Sequence, residues 1–335
     1  MEGHMLFFLL VVVVQFLTGV LANGLIVVVN AIDLIMWKKM APLDLLLFCL
    51  ATSRIILQLC ILFAQLGLSC LVRHTLFADN VTFVYIINEL SLWFATWLGV
   101  FYCAKIATIP HPLFLWLKMR ISRLVPWLIL ASVVYVTVTT FIHSRETSEL
   151  PKQIFISFFS KNTTRVRPAH AKLLSVFVFG LTLPFIIFTV AVLLLLSSLW
   201  NHSRQMRTMV GTREPSRHAL VSAMLSILSF LILYLSHDMV AVLICTQGLH
   251  FGSRTFAFCL LVIGMYPSLH SIVLILGNPK LKRNAKMFIV HCKCCHCARA
   301  WVTSRNPRLS DLPVPATHHS ANKTFCSEAC IMPSQ

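Results

Sequence analysis

Seven stretches of roughly 20 apolar residues, joined by short polar segments, constrain this chain more than any other feature. They lie near residues 6–32, 43–66, 82–104, 124–142, 173–199, 219–245 and 255–276. A helix needs about 20 apolar residues to cross the ~30 Å hydrocarbon core, and lipid leaves backbone polar groups no outside partner. The pattern therefore predicts an all-α fold, a bundle of seven transmembrane helices. Composition agrees: only 12% of residues are charged and the mean hydropathy is +0.81, against about 25% charged in soluble domains. The first run resembles a signal peptide, but Met1 to Met5 holds Glu2 and no Lys or Arg. The run also continues through Leu25 to Ile32. It is expected to span the membrane and serve as its own insertion signal.

Lys and Arg set the orientation. With the N-terminus extracellular, nineteen of them fall in the inner segments and eight in the outer, with Arg54 alone inside a run. The C-terminus is then cytosolic. The net charge of +17 comes from short clusters between apolar runs, which suits lipid headgroups and gives no reason to expect nucleic acid. Residues 1–297 are expected to form one membrane domain with a short cytosolic helix after the seventh span. The polar segment 298–335, with four prolines, reads as a disordered tail. The cysteines from Cys292 to Cys297 lack a second pair at zinc-finger spacing, so no metal and no cofactor is expected. Just past a basic amphipathic stretch, Cys294 and Cys295 read instead as palmitoylation sites.

Polar residues inside the runs are expensive, about 2.5–3.5 kcal/mol for a charge at mid-span. Arg54 sits about 16 Å into the second span, at a depth comparable with Asn23 in the first and His270 and Ser271 in the seventh. Two readings stand side by side: a polar lock between these helices that shifts on activation, or a static bonded arginine. In the third span Glu89, Trp93 and Trp97 recur every four residues, placing a carboxylate and two indoles on one face. Together with Asn88 and with Asp238 near the outer end of the sixth span, they form a candidate ligand cavity; bundle packing is the alternative. Pro184, Gly264 and Pro267 are candidate hinges or simple shape features.

Particular strings carry a resemblance. They are LLLFCLATSR ending at Arg54, LWFATWLGVFYCAKIA from Leu92, HPLFLWLKMRI from His111, SILSFLILYLSH from Ser226 and YPSLHSIVLILGNPKLK from Tyr266. Over residues 1–297 the chain resembles the taste receptor type 2 family of bitter receptors, with the member-1 group nearest. No Asp-Arg-Tyr follows the third span and no Asn-Pro-x-x-Tyr occurs in the seventh. Cysteine is also missing from both the top of the third span and the 143–172 loop, as in bitter receptors. The resemblance implies a plasma-membrane G-protein-coupled receptor for small bitter organic molecules. It implies Trp93 in the ligand pocket and a glycan on Asn162, and coupling to a heterotrimeric G protein of the gustducin type, with phospholipase C and calcium release. Tyr102, Lys105, Lys118, Arg204 and Arg207 would border the cleft that receives the G protein.

A vomeronasal-type chemoreceptor, or a transporter or channel, are the competing readings. A multispan enzyme is disfavoured, since the chain has no His-x-x-x-His and no paired-carboxylate constellation.

Overall fold

The computed structural model describes residues 2–70, 74–147, 180, 182–200, 214–247, 254–288 and 290. Asn162, Arg204, Arg207, Cys294, Cys295 and the 298–335 segment lie outside these residues. By its internal contacts the chain divides into Met1–Leu281 and Lys282–Gln335; everything described below, the end of the last helix apart, belongs to the first unit.

All regular structure among the described residues is helical: α1 (Glu2–Trp37), α2 (Pro42–Cys70), α3 (His74–Ile106), α4 (Pro112–Thr147), α5 (Thr182–Trp200), α6 (Glu214–Gln247), α7 (Arg254–Gly277) and α8 (Pro279–Phe288). Each predicted apolar run falls in one of the first seven wherever it is described, Gly180 just ahead of α5 excepted. Segments of α1 to α5 are long and apolar enough to cross a membrane on their own. In α6 the described apolar stretch is Ile227–Val240, and in α7 it is Leu261–Gly277.

Local chemistry explains the boundaries. Proline opens α2, α4 and α8, at the one helical position where its missing N–H and fixed φ carry no penalty. Asn278 caps α8, its Oδ1 accepting from the backbone N–H of Lys280 at 3.0 Å and of Leu281 at 3.4 Å. The chain turns at this cap. Lys38 ends α1 at φ 50°, the left-handed position that stops a helix. One expectation needs correcting. The string from His111 to Ile121, whose basic residues were counted with the inner segments, is helical from Pro112, so the fourth helix starts a dozen residues earlier than its apolar run suggested. Its basic side chains hid a helix whose start is set by proline rather than by hydropathy.

Packing makes α3 the central helix: 56% of its apolar window is buried, against 17% for α4. Helix α2 lies between α1 and α3, and α7 closes against both α1 and α6. Leu46, Leu47, Leu50, Leu92, Leu98, Ala104 and Ile121 are among the side chains forming the apolar centre.

Candidate functional site

Helical spacing brings Glu89, Trp93 and Trp97 onto one face of α3, and the structure shows what that face meets. The two indoles stack at 5.4 Å between centroids, and Tyr135 of α4 abuts Trp93 edge-on at 5.3 Å. Trp97 Nε1 donates to Ser132 Oγ at 2.7 Å, and Ser132 donates on to Leu128 O. Trp97 is therefore anchored to α4. Trp93 Nε1 is buried and has no acceptor among the described residues.

Glu89 is fully buried, and neither carboxylate oxygen receives a hydrogen bond of good geometry from a described residue. The Tyr85 hydroxyl and Gly180, just ahead of α5, stand beside it. A Cβ on Gly180 would run into that hydroxyl, so glycine is what lets the chain approach the acid. A buried carboxylate with a tyrosine hydroxyl but no described cation beside it gains from meeting a positive charge in a low dielectric, which makes this spot an acceptor for an incoming cation. Asn88 is also buried. Asp238, about one-fifth exposed, lies on α6 with His237 Nδ1 3.4 Å from its Oδ1. Tyr234, one turn before Asp238 on α6, is within electrostatic reach of both Glu89 and Asp238.

Deeper in the bundle the residues matched by depth do meet. Arg54 is fully buried. Its Nη1 donates to Ser271 Oγ at 3.2 Å and its Nη2 to His270 Nδ1. Arginine has only donors, so His270 accepts at Nδ1 and carries its own proton on Nε2. Ser271 Oγ lies 2.6 Å from Asn23 Oδ1 and 2.8 Å from Pro267 O. A hydroxyl has one proton, so only one of these two acceptors can be served fully at a time. The guanidinium also lies 5.6 Å from the Tyr266 ring centroid, within cation–π range. No described carboxylate pairs with Arg54; neutral acceptors and an aromatic face hold it.

Sequence reasoning missed a second polar layer, one turn further along the same faces. Gln58, four residues after Arg54, donates from Nε2 to Ser268 Oγ at 2.6 Å. Ser268 in turn donates to the backbone carbonyl of Gln15 at 3.2 Å. The Gln58 amide fills the space a Cβ on Gly19 would need, and the Gln15 amide does the same over Gly264. The signal was present as i, i+4 spacing from Arg54 to Gln58, but neutral glutamines raise no alarm in an apolar run.

The lattice connects to an aromatic column. His270 stacks on Phe230 of α6 at 4.1 Å, and Phe230 meets Phe188 of α5 edge-on at 4.6 Å. Phe188 presses on Gly99 of α3, where a Cβ would overlap its ring. At the other end of the bundle Lys105 lies 5.8 Å from the Phe101 ring, and Lys118 Nζ donates to Ala107 O at 3.1 Å. Tyr102, within electrostatic reach of Asp44, stands near a clamp that was not foreseen. There Lys280 Nζ bridges Asp33 at 2.5 Å and Asp44 at 2.7 Å, tying the end of α1, the start of α2 and the start of α8. Burial acts to lower the Lys280 pKa, but hydrogen bonds and attraction from both carboxylates outweigh it and raise the pKa above its usual value.

A helical bundle of apolar spans around a buried polar lattice defines a multi-pass membrane protein of the G-protein-coupled receptor kind. The sequence profile described as Taste receptor protein (TAS2R) matches residues 1–293. The chain belongs to the taste receptor type 2 family. It is 99% identical to Taste receptor type 2 member 119 of Mus musculus over 334 residues, covering 100% of both chains. It is 52% identical to Taste receptor type 2 member 1 of Gorilla gorilla gorilla over 298 residues, 88% of this chain and 99% of that one. It is 32% identical to Taste receptor type 2 member 40 of Gallus gallus over 306 residues, 88% of this chain and 97% of the relative.

Proposed function

We propose that this receptor recognises small bitter organic molecules in the outer half of the bundle, between α3, α5, α6 and α7, with the N-terminus outside the cell and the C-terminus in the cytosol. The observation that carries the reading is the buried Glu89 carboxylate, with no cationic partner among the described residues. It lies one turn from the unsatisfied Nε1 of Trp93 and a stacked indole pair. An amine-bearing aromatic ligand satisfies all three: the ammonium pairs with Glu89, an acceptor meets Trp93, and a ring stacks on the indoles. Asn88 and Asp238 add polar contacts at the rim.

Ligand that reaches Glu89 displaces the chain around Gly180, and α5 moves with it. The shift passes through Phe188 and Phe230 to His270, and so to the lattice of Asn23, Arg54 and Ser271. That lattice acts as the switch. Separation of the inner ends of α5 and α6 then opens a cleft bordered by Tyr102, Lys105, Lys118, Arg204 and Arg207. A gustducin-type G protein docks there and signals through phospholipase C and calcium release in the plasma membrane. A glycan on Asn162, lipidation of Cys294 and Cys295, and a receptor domain ending near residue 297 complete the proposal.

A calcium-release assay with a panel of bitter compounds tests it. The parent should respond to at least one amine-bearing aromatic compound. Glu89→Gln should raise the concentration needed by about tenfold or more, the scale of one charge-assisted bond. Trp93→Ala should reduce the responses broadly while surface delivery is retained. Silence of a well-expressed parent across the panel would end the functional reading; unchanged responses in both variants would remove only the site.

A further inference from the structure

The outward face of α4 carries a pattern that ligand recognition does not use. Trp116, Arg120, Arg123 and Trp127 follow at i, i+4, i+7 and i+11, a spacing that keeps all four on one side of a helix. All four are exposed. The Arg120 guanidinium lies 5.4 Å from the Trp116 ring centroid, so it is held in place by stacking. No carboxylate among the described residues pairs with either arginine, and the first acidic residue of α4 is Glu146. Directly beyond Trp127 the face of α4 alone lines a shallow, open groove of about 580 Å³ with Trp127, Leu130, Val134, Tyr135 and Val138. Two guanidiniums bracketed by indoles thus lead into an apolar trough.

We propose that this face of α4 is a binding site for an anionic phospholipid of the cytosolic leaflet. The leaflet rests on the orientation given above, which puts the start of α4 on the cytosolic side. The guanidinium forks of Arg120 and Arg123 bind the phosphate and acidic headgroup, a geometry arginine matches better than lysine. Trp127 sits at the interfacial level where indoles are favoured, and Trp116, about 16 Å back along the helix, stacks on the Arg120 guanidinium among the headgroups. One acyl chain lies in the groove past Trp127. Tyr135 forms part of that groove and also touches Trp93, so an occupied groove bears on the ligand site.

Purified receptor analysed by native mass spectrometry, with phosphatidylserine or phosphatidylcholine added, reads the site without any agonist. Phosphatidylserine should be retained about 30-fold more tightly, the scale expected for two arginines at a membrane surface. The preference should shrink as salt rises, a measurement that needs no variant. Arg120→Gln with Arg123→Gln should abolish the preference, whereas Arg120→Lys with Arg123→Lys should keep part of it. Trp127→Ala should weaken both lipids alike. Equal retention of the two lipids by the parent would overturn the proposal, and so would a preference untouched by the double glutamine variant. Displacement by soluble glycerophosphoserine as effective as by the intact lipid would remove the groove from it. An N-terminal tag found inside intact cells would overturn the leaflet. A silent bitter-compound panel beside a measured phosphatidylserine preference would remove the functional reading and support the lipid site.

Discussion

Ser271 occupies the most demanding position in the structure, because a single hydroxyl serves three partners. It accepts from Arg54 and faces both Asn23 Oδ1 and Pro267 O. Ser271→Ala leaves an arginine nitrogen and the Asn23 oxygen short of partners in a buried setting, at about 1–3 kcal/mol for each group. Thermal unfolding of the purified receptor should therefore begin several degrees lower, and Ser271→Thr, which retains the hydroxyl, should recover most of the loss. Depth along each span was enough to group Asn23, Arg54, His270 and Ser271 from the sequence, since polar groups at one level in lipid have few other places to go. The direction of the indoles was not legible: the face Trp93 and Trp97 share is set by periodicity, but whether it turns toward α4 depends on Ser132 and Tyr135, far away in the chain.

At the scale of elements, close helix contact rests on glycine opposite glutamine. Gly19→Ala should force the Gln58 amide out of its seat, break its bond to Ser268 and lower stability. Adding Gln58→Ala should then cost little more, so a double-mutant cycle should give clear coupling between the two positions. The Lys280 clamp makes a different prediction. Its pKa is raised in the folded protein, so its stabilising contribution is fully present below the ordinary lysine value of 10.5 and fades as pH climbs through the higher folded value. Melting temperature should hold level from pH 7 to 10 and fall above that, and Lys280→Met should flatten the alkaline fall. The clamp escaped sequence reading because Lys280 lies more than two hundred residues from both carboxylates, and only the turn at Asn278 brings it back. The start of α4 was misjudged for a related reason: hydropathy marks the lipid-filling part of a helix, while its ends obey capping rules.

For the whole molecule, the seven apolar runs were enough to specify the bundle, because a membrane leaves so few alternatives to a chain of this composition. The orientation proposed from its basic residues predicts that an N-terminal epitope tag is stained on unpermeabilised cells and a C-terminal one only after permeabilisation. Staining of both ends on intact cells would refute it. The polar stitching between α1, α2 and α7 bears on how such a receptor is tuned. Three staves pinned at two heights form a chassis that holds at the Gln58 layer and can yield at the Arg54 layer, where one hydroxyl faces two acceptors. Substitutions in the chassis should therefore govern how many copies mature and how readily they fire, while the chemical repertoire is written elsewhere. Sensitivity and selectivity become separately heritable traits in one chain.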